Sequence, residues 1–109
     1  MYELRHYVDK AGHDRFAAWL LSLRDRQARV RIAARLIRLQ NGNFGDCRAV
    51  GDGVWEQRID WGPGYRVYYA IAARRIVLLC EGGDKRTQAA DIQRAIARWQ
   101  DWQQRSSKA

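Results

Sequence analysis

The 109-residue sequence has one proline, two cysteines and no long apolar run. Its cysteines, Cys47 and Cys80, are too few for a disulfide framework and form no C-x-x-C motif. Residues 76–80 form the longest strongly apolar run, far short of the roughly 20 residues that span a bilayer. The first residues mix acid and base where a signal peptide would be apolar. We therefore expect a soluble cytoplasmic protein that does not insert into a membrane.

Metal-ligand patterns are also scarce. His6 and His13 do not have the i,i+4 spacing of a helical zinc pair, and both cysteines lie far from them in the sequence. We expect two buried thiols and two surface imidazoles, with no metal and no small-molecule cofactor.

The composition is that of a globular protein, with 47% hydrophobic and 29% charged residues. The length allows one domain, because domains usually hold roughly 100–150 residues. We predict that residues 1–105 form this domain and that residues 106–109 are a frayed tail.

Helical periodicity dominates the first half of the chain. Phe16, Trp19, Leu20 and Leu23 recur at the spacing of one helix face. A second helix is predicted over residues 26–39, ending at Asn41-Gly42-Asn43. Its predicted inner stripe, widened by Leu36 and Leu39, consists of Val30, Ala33, Ala34 and Ile37.

Strand patterns follow the helices, and one more strand precedes them. Strands are predicted at residues 2–8, 48–50, 54–61, 65–72 and 76–80, the last ended by Gly82-Gly83. Thr87 can cap a final helix with one apolar side, formed by Ile92, Ala95, Ile96 and Trp99 and continued by Trp102. The order predicts an α+β fold in which an N-terminal strand, a helical hairpin and a C-terminal helix pack against one face of a small antiparallel sheet.

The central hairpin carries polar side chains on one face. A three-residue loop, Gly62-Pro63-Gly64, would place Asp60 opposite Arg66 across the strands. The shared polar face would then hold Glu56, Arg58, Arg66 and Tyr68. These groups can grip and cleave a phosphodiester, with Lys85 at the same rim; alternatively, they form a surface salt-bridge ladder worth about 0–1 kcal/mol per pair.

Positive charge is concentrated on the second helix. The chain has 20 Lys+Arg against 12 Asp+Glu, a formal net charge of +8. Residues 24–38 contain six arginines and a single acid, Asp25. Arginine matches phosphate or carboxylate bidentately, so this segment favours an anionic partner, either nucleic acid or an acidic protein; a merely solvated helix face is the alternative.

Two stretches of the chain, together with shorter motifs that precede them, resemble sequences of a known family. Four short motifs come first along the chain: Trp19-Leu20, Arg35-Leu36, Gly45-Asp46 and Glu56-x-Arg58-Ile59. They are followed by the two longer stretches, Gly62-Pro63-Gly64-Tyr65-Arg66-Val67-Tyr68 and Gly82-Gly83-Asp84-Lys85. Over residues 15–96 the chain resembles the RelE/ParE superfamily of type II toxin–antitoxin toxins, most closely its HigB-like "addiction module killer protein" branch. The resemblance implies the RelE/ParE-like fold.

The resemblance also implies a toxin that inhibits translation by cutting mRNA in the ribosomal A site. The ribose 2′-hydroxyl attacks the adjacent phosphate, without a metal, so the site needs a base, cations and an acid. Arg66 would contact the phosphate, Lys85 would be a second contact or the proton donor, and Arg58 a third cation. Glu56 is the candidate base, with Asp91 behind it. The remaining candidate RNA-binding residues are Arg48, Tyr68, Arg86 and again Asp91.

Two other functions stay open at this point. ParE-like members of the same fold poison DNA gyrase, and a catalytically inactive antitoxin-binding module would use the cluster only structurally. The expected partners are a cognate helix-turn-helix antitoxin, the ribosome and mRNA.

Overall fold

The computed structural model describes residues 1–107, which build a five-stranded sheet with helices on both faces. In chain order the elements are β1 (Glu3–His6), α1 (Arg15–Ser22), α2 (Arg26–Gln40), β2 (Cys47–Gly51), β3 (Val54–Ile59), β4 (Tyr65–Ala72), β5 (Ile76–Asp84), a 3₁₀ turn (Lys85–Thr87) and α3 (Gln88–Ser107). The sheet order is β1-β5-β4-β3-β2. Among these elements, no helix is long and apolar enough to cross a membrane.

The predicted α+β class is confirmed, together with the N-terminal strand, the helical hairpin and the C-terminal helix. Two details of the prediction are wrong. The sheet is mixed, because β1 runs parallel to β5 while the other pairs are antiparallel. The helices also cover both faces of the sheet rather than one. The finer RelE/ParE-like arrangement stays a prediction.

The two faces of the sheet bury separate cores because neighbouring residues of a strand point to opposite sides. α1 and α2 cover one face, whose buried members include Phe16, Ile32, Leu39, Val67, Tyr69 and Leu79. α3 covers the other, whose buried members include Val54, Tyr68, Ala70, Leu78, Ala95 and Trp99. The predicted apolar side of the last helix is confirmed, since Ala95 and Trp99 are buried and Trp102 packs against this core.

The register of the β3–β4 hairpin differs from the predicted one by two residues. β3 ends at Ile59 and β4 begins at Tyr65, so residues 60–64 all belong to the connection. Arg58 therefore pairs with Arg66, and Glu56 with Tyr68. A shift of two keeps every side chain on its predicted face, because the side-chain period of a strand is two.

The buried stripe of α2 agrees with the prediction at Leu36 and Leu39, but the four residues predicted to form its centre lie on the opposite, exposed side. Ile32 and Leu39 are fully buried, whereas Val30 is 64% and Ile37 58% exposed. The helix carries two apolar stripes, and the sheet buries the one with more large side chains, formed by Ala28, Ile32, Leu36 and Leu39. Ala33 and Ala34 of the predicted stripe are exposed as well.

Gly82 and Gly83 do not end the last strand, because β5 continues through them to Asp84. A Cβ atom on Gly82 would collide with the Trp19 ring, and one on Gly83 with the Asp91 carboxylate. The two glycines therefore let a helix from each side approach the strand closely.

The connection between β5 and α3 is a capped turn. Asp84 caps the 3₁₀ turn, and the Thr87 side chain completes a capping box. α3 then runs through Ser107. Two residues of the predicted tail, Ser106 and Ser107, are thus helical, and residues 108–109 lie outside the described part of the chain.

The orientation of α2 can be tested with the same substitution at two positions. Ile32→Ala should lower the free energy of unfolding by about 2–5 kcal/mol, because it leaves a cavity in the core. Ile37→Ala, on the outer side, should change it by no more than about 0.5 kcal/mol. Urea unfolding followed by circular dichroism measures both, and equal losses would contradict the orientation.

Candidate anion-binding site

Glu56 is a fully buried carboxylate at the centre of the β3–β4 polar face. Its Oε1 accepts a hydrogen bond from Arg48 Nε at 3.1 Å, and its Oε2 accepts from Tyr68 Oη at 3.1 Å and Gln88 Nε2 at 2.7 Å. Arg66 Nε forms an ion pair with Oε1 at 3.8 Å. Burial, with the nearby Glu56 charge, raises the pKa of Tyr68, so this hydroxyl remains a donor. The carboxylate is thereby compensated from three elements.

Arg58 and Arg66 lie next to each other across the hairpin. The Arg66 side chain is only 11% exposed, and its Nη1 donates to the carbonyl oxygens of Gly64 and Tyr65 at 3.3 Å. Arg58 Nη2 lies 3.4 Å from the Asp46 carboxylate. The Nε atoms of both arginines are buried and have no hydrogen-bond partner within residues 1–107. Both guanidinium groups are therefore held in place by the protein, Arg66 by Glu56 and two carbonyl oxygens and Arg58 by Asp46.

These two arginines and Lys85 line one open cavity of about 410 Å³. The full lining is Asp46, Arg58, Asp60, Gly62, Pro63, Gly64, Arg66 and Lys85. Lys85 makes no ion pair within the described residues. Gly64 adopts φ +83°, and a Cβ there would lie 3.4 Å from Arg66 Nη1, so glycine suits both the turn and the space. Three cations thus surround a space large enough for a phosphate group.

The structure brings three of the predicted catalytic residues, Arg58, Arg66 and Lys85, to one cavity, whereas the fourth, Glu56, is buried beside Arg66 and does not line it. Glu56 has no exposed surface and three donors on its oxygens, so it is not available as a base at the cavity. Its burial follows from the first residues of α3, since Gln88 lies over it. The sequence pattern placed the residue on the right face without showing that a helix covers that face.

The predicted RNA-binding residues have other neighbours. Tyr68 is fully buried and has no surface to offer RNA, contrary to the prediction. Asp91 is also buried, where it accepts hydrogen bonds at 2.5 Å from Thr87 Oγ1 and from Arg94 Nη2. It is therefore no second base either. Arg48 is half-exposed beside Glu56, and the exposed Arg86 pairs with Asp84 at 3.0 Å.

Sequence reasoning missed two carboxylates of the cavity, Asp46 and Asp60. Asp60 was expected opposite Arg66 in a strand ladder, and the longer loop moves it to the cavity wall. It makes no hydrogen bond or ion pair with any residue from 1 to 107. Its position two residues before Gly62-Pro63-Gly64 was the one available signal.

Comparison with known proteins defines the class of this chain. Residues 18–100, which include every residue of the cavity, match the family model "Phage derived protein Gp49-like (DUF891)". The chain therefore belongs to the phage-derived Gp49-like family. It is similar to an uncharacterized protein of Haemophilus influenzae, with 50% identity over 80 residues that cover 73% of this chain and 81% of the relative.

The counter-charge role of Glu56 can be measured by unfolding. Glu56→Gln should lower the free energy of unfolding by about 3–5 kcal/mol, because it leaves Arg66 without its buried counter-charge. Tyr68→Phe removes one hydrogen bond to the same carboxylate and should cost about 1 kcal/mol. Urea unfolding of both variants gives the comparison. If Glu56→Gln cost no more than Tyr68→Phe, the carboxylate would not be the required counter-charge.

Proposed function

We propose that this chain is the toxin of a type II toxin–antitoxin system and that it inhibits translation by cutting mRNA on the ribosome. Its Gp49-like family is of the addiction-module killer type, which supports a toxin. The resemblance of residues 15–96 to HigB-like toxins supports the mRNA target. The proposal implies action in the cytoplasm and a cognate helix-turn-helix antitoxin that restrains the toxin.

The observation that carries the nuclease proposal is the convergence of three cationic side chains on one open cavity. Arg58, Arg66 and Lys85 all line this cavity, and Lys85 makes no ion pair within the described chain. A phosphate brings several acceptor oxygens and negative charge, so it suits such a cluster. A surface salt-bridge ladder, the alternative reading, accounts for the ion pairs of Arg58 and Arg66 but leaves Lys85 without a partner among residues 1–107.

The proposed chemistry is an internal transfer at one phosphodiester. The 2′-oxygen forms a bond to phosphorus and loses its proton, while the bond from phosphorus to the 5′-oxygen breaks and that oxygen gains a proton. The products are a 2′,3′-cyclic phosphate and a 5′-hydroxyl. Arg58 and Arg66 would stabilise the charge that develops on the phosphoryl oxygens. Lys85 would give its proton to the leaving oxygen.

The proton acceptor in this proposal is Asp60. It is exposed, lines the cavity and has no internal partner in residues 1–107, whereas Asp46 is engaged with Arg58. Glu56 becomes a positioning residue, because it holds Arg66 from beneath the sheet surface.

Ribosome-dependent cleavage can be tested in a translation reaction with end-labelled mRNA. The wild-type chain should produce discrete breaks, and Arg66→Ala should reduce them at least a hundredfold because the phosphate loses its central contact. Arg75→Ala removes an exposed arginine from the β4–β5 turn and should leave cleavage unchanged. Intact mRNA together with gyrase-trapped DNA breaks would instead establish a gyrase poison, and neither product would indicate an inactive antitoxin-binding module.

The proton acceptor can be identified by comparing two carboxylates of the cavity. Asp60→Asn should slow single-turnover cleavage at least tenfold while leaving ribosome binding unchanged. Asp46→Asn, its matched control, should slow cleavage less than threefold. Equal losses for the two variants would contradict the assignment of Asp60.

A further inference from the structure

A second apolar stripe lies on the outer side of α2, away from the sheet. Val30, Ala33, Ala34 and Ile37 follow the i, i+3, i+4, i+7 spacing and are all exposed. They span two helical turns, about 10 Å along the axis. The opposite side of α2, which carries the stripe that contains Ile32, is already buried in the core. The helix is therefore apolar on two sides, and fold stability accounts for only one of them.

Arginines without ion-pair partners in the described chain flank this outer stripe. α2 contains five arginines and no acidic residue, and none of these arginines forms an ion pair within the described part of the chain: Arg26, Arg29, Arg31, Arg35 and Arg38. At about 100° per residue, Arg29 lies on one flank of the stripe, with Arg31 and Arg38 on the other. Arg31 also packs on the Trp61 ring, 3.8 Å from its centre.

We propose that this outer face of α2 docks an acidic amphipathic helix of a partner protein. The aliphatic row would bury a matching apolar face, and carboxylates along the edges of that helix would pair with the flanking arginines. RNA would bind the arginines but not the aliphatic stripe, because aliphatic side chains neither stack on bases nor form hydrogen bonds with them. The face includes no residue of the cavity, so the inference does not depend on the proposed nuclease activity.

Binding can be measured by fluorescence anisotropy with a labelled 21-residue probe peptide. The probe carries Leu and Ala along one helical face and Glu on both flanks; a control peptide has the same composition in scrambled order. The full chain should bind the amphipathic probe at least tenfold more tightly than the scrambled peptide. The preference should persist in Arg66→Ala, which separates this surface from the cavity.

Variants of the stripe should remove the preference without unfolding the protein. Val30→Ser combined with Ile37→Ser should weaken probe binding at least tenfold, with an unchanged melting temperature because both positions are exposed. Arg29→Gln should weaken it about threefold and make it less sensitive to salt. Val8→Ser and Arg75→Gln are the matched apolar and charged controls and should leave binding unchanged.

Three results would overturn the inference. The first is equal affinity for the two peptides, which would mean charge attraction alone. The second is an unchanged affinity in the Val30 and Ile37 double variant. The third is stripe-dependent binding to vesicles with anionic headgroups or to single-stranded RNA, with no preference for the amphipathic probe.

Discussion

The site depends on one burial problem, the Glu56 carboxylate beneath α3. A carboxylate with no exposed surface must be paired and hydrogen-bonded, because desolvation of an isolated charge costs several kcal/mol. Donors from β2, β4 and the start of α3 meet this requirement. The same requirement draws the Arg66 guanidinium under the sheet surface, with its Nη1 held on two carbonyl oxygens. The orientation of Arg66 at the cavity is therefore fixed by the protein itself, before any ligand binds.

Local periodicity predicted most of the elements but not how they pack. The bounds of β4 and the buried side of α3 follow from patterns a few residues long. The packing of helices on both faces does not, because the period of an isolated strand is the same whether its second face meets water or a helix. α2 shows a related limit. Its two stripes have similar spacing, and only competition for the sheet decides that Ile32 turns inward and Ile37 outward.

The sequence predicted those parts of the candidate site that depend only on the alternation of side chains along a strand. Arg58 and Arg66 share a face under either hairpin register, so an error of two residues changed their cross-strand partners but left both on the predicted face. The position of Asp60 depends on the length of the β3–β4 loop, which is hard to infer from a sequence rich in glycine and proline. Glu56 was assigned a reactive role because its neighbours on the strands could be inferred from the sequence. The residue that covers it could not, because Gln88 lies 32 positions further along the chain.

Much of the net charge of +8 lies on α2, which has five arginines and no acidic residue. Buried carboxylates such as Glu81 and Asp91 pair with Arg94 and Arg98 on α3. Within residues 1–107, Lys85 of the cavity and the arginines of α2 have no ion-pair partner. The two regions are neighbours. Asp60 lines both the cavity and a smaller pocket of about 200 Å³ bounded by Arg31, Arg35 and Arg38. Potentials of exposed charges extend about 8 Å at physiological salt. An acidic helix on α2 would therefore weaken the attraction of the cavity for a phosphate without covering it, and the arginines that recruit such a partner would also mediate its inhibition.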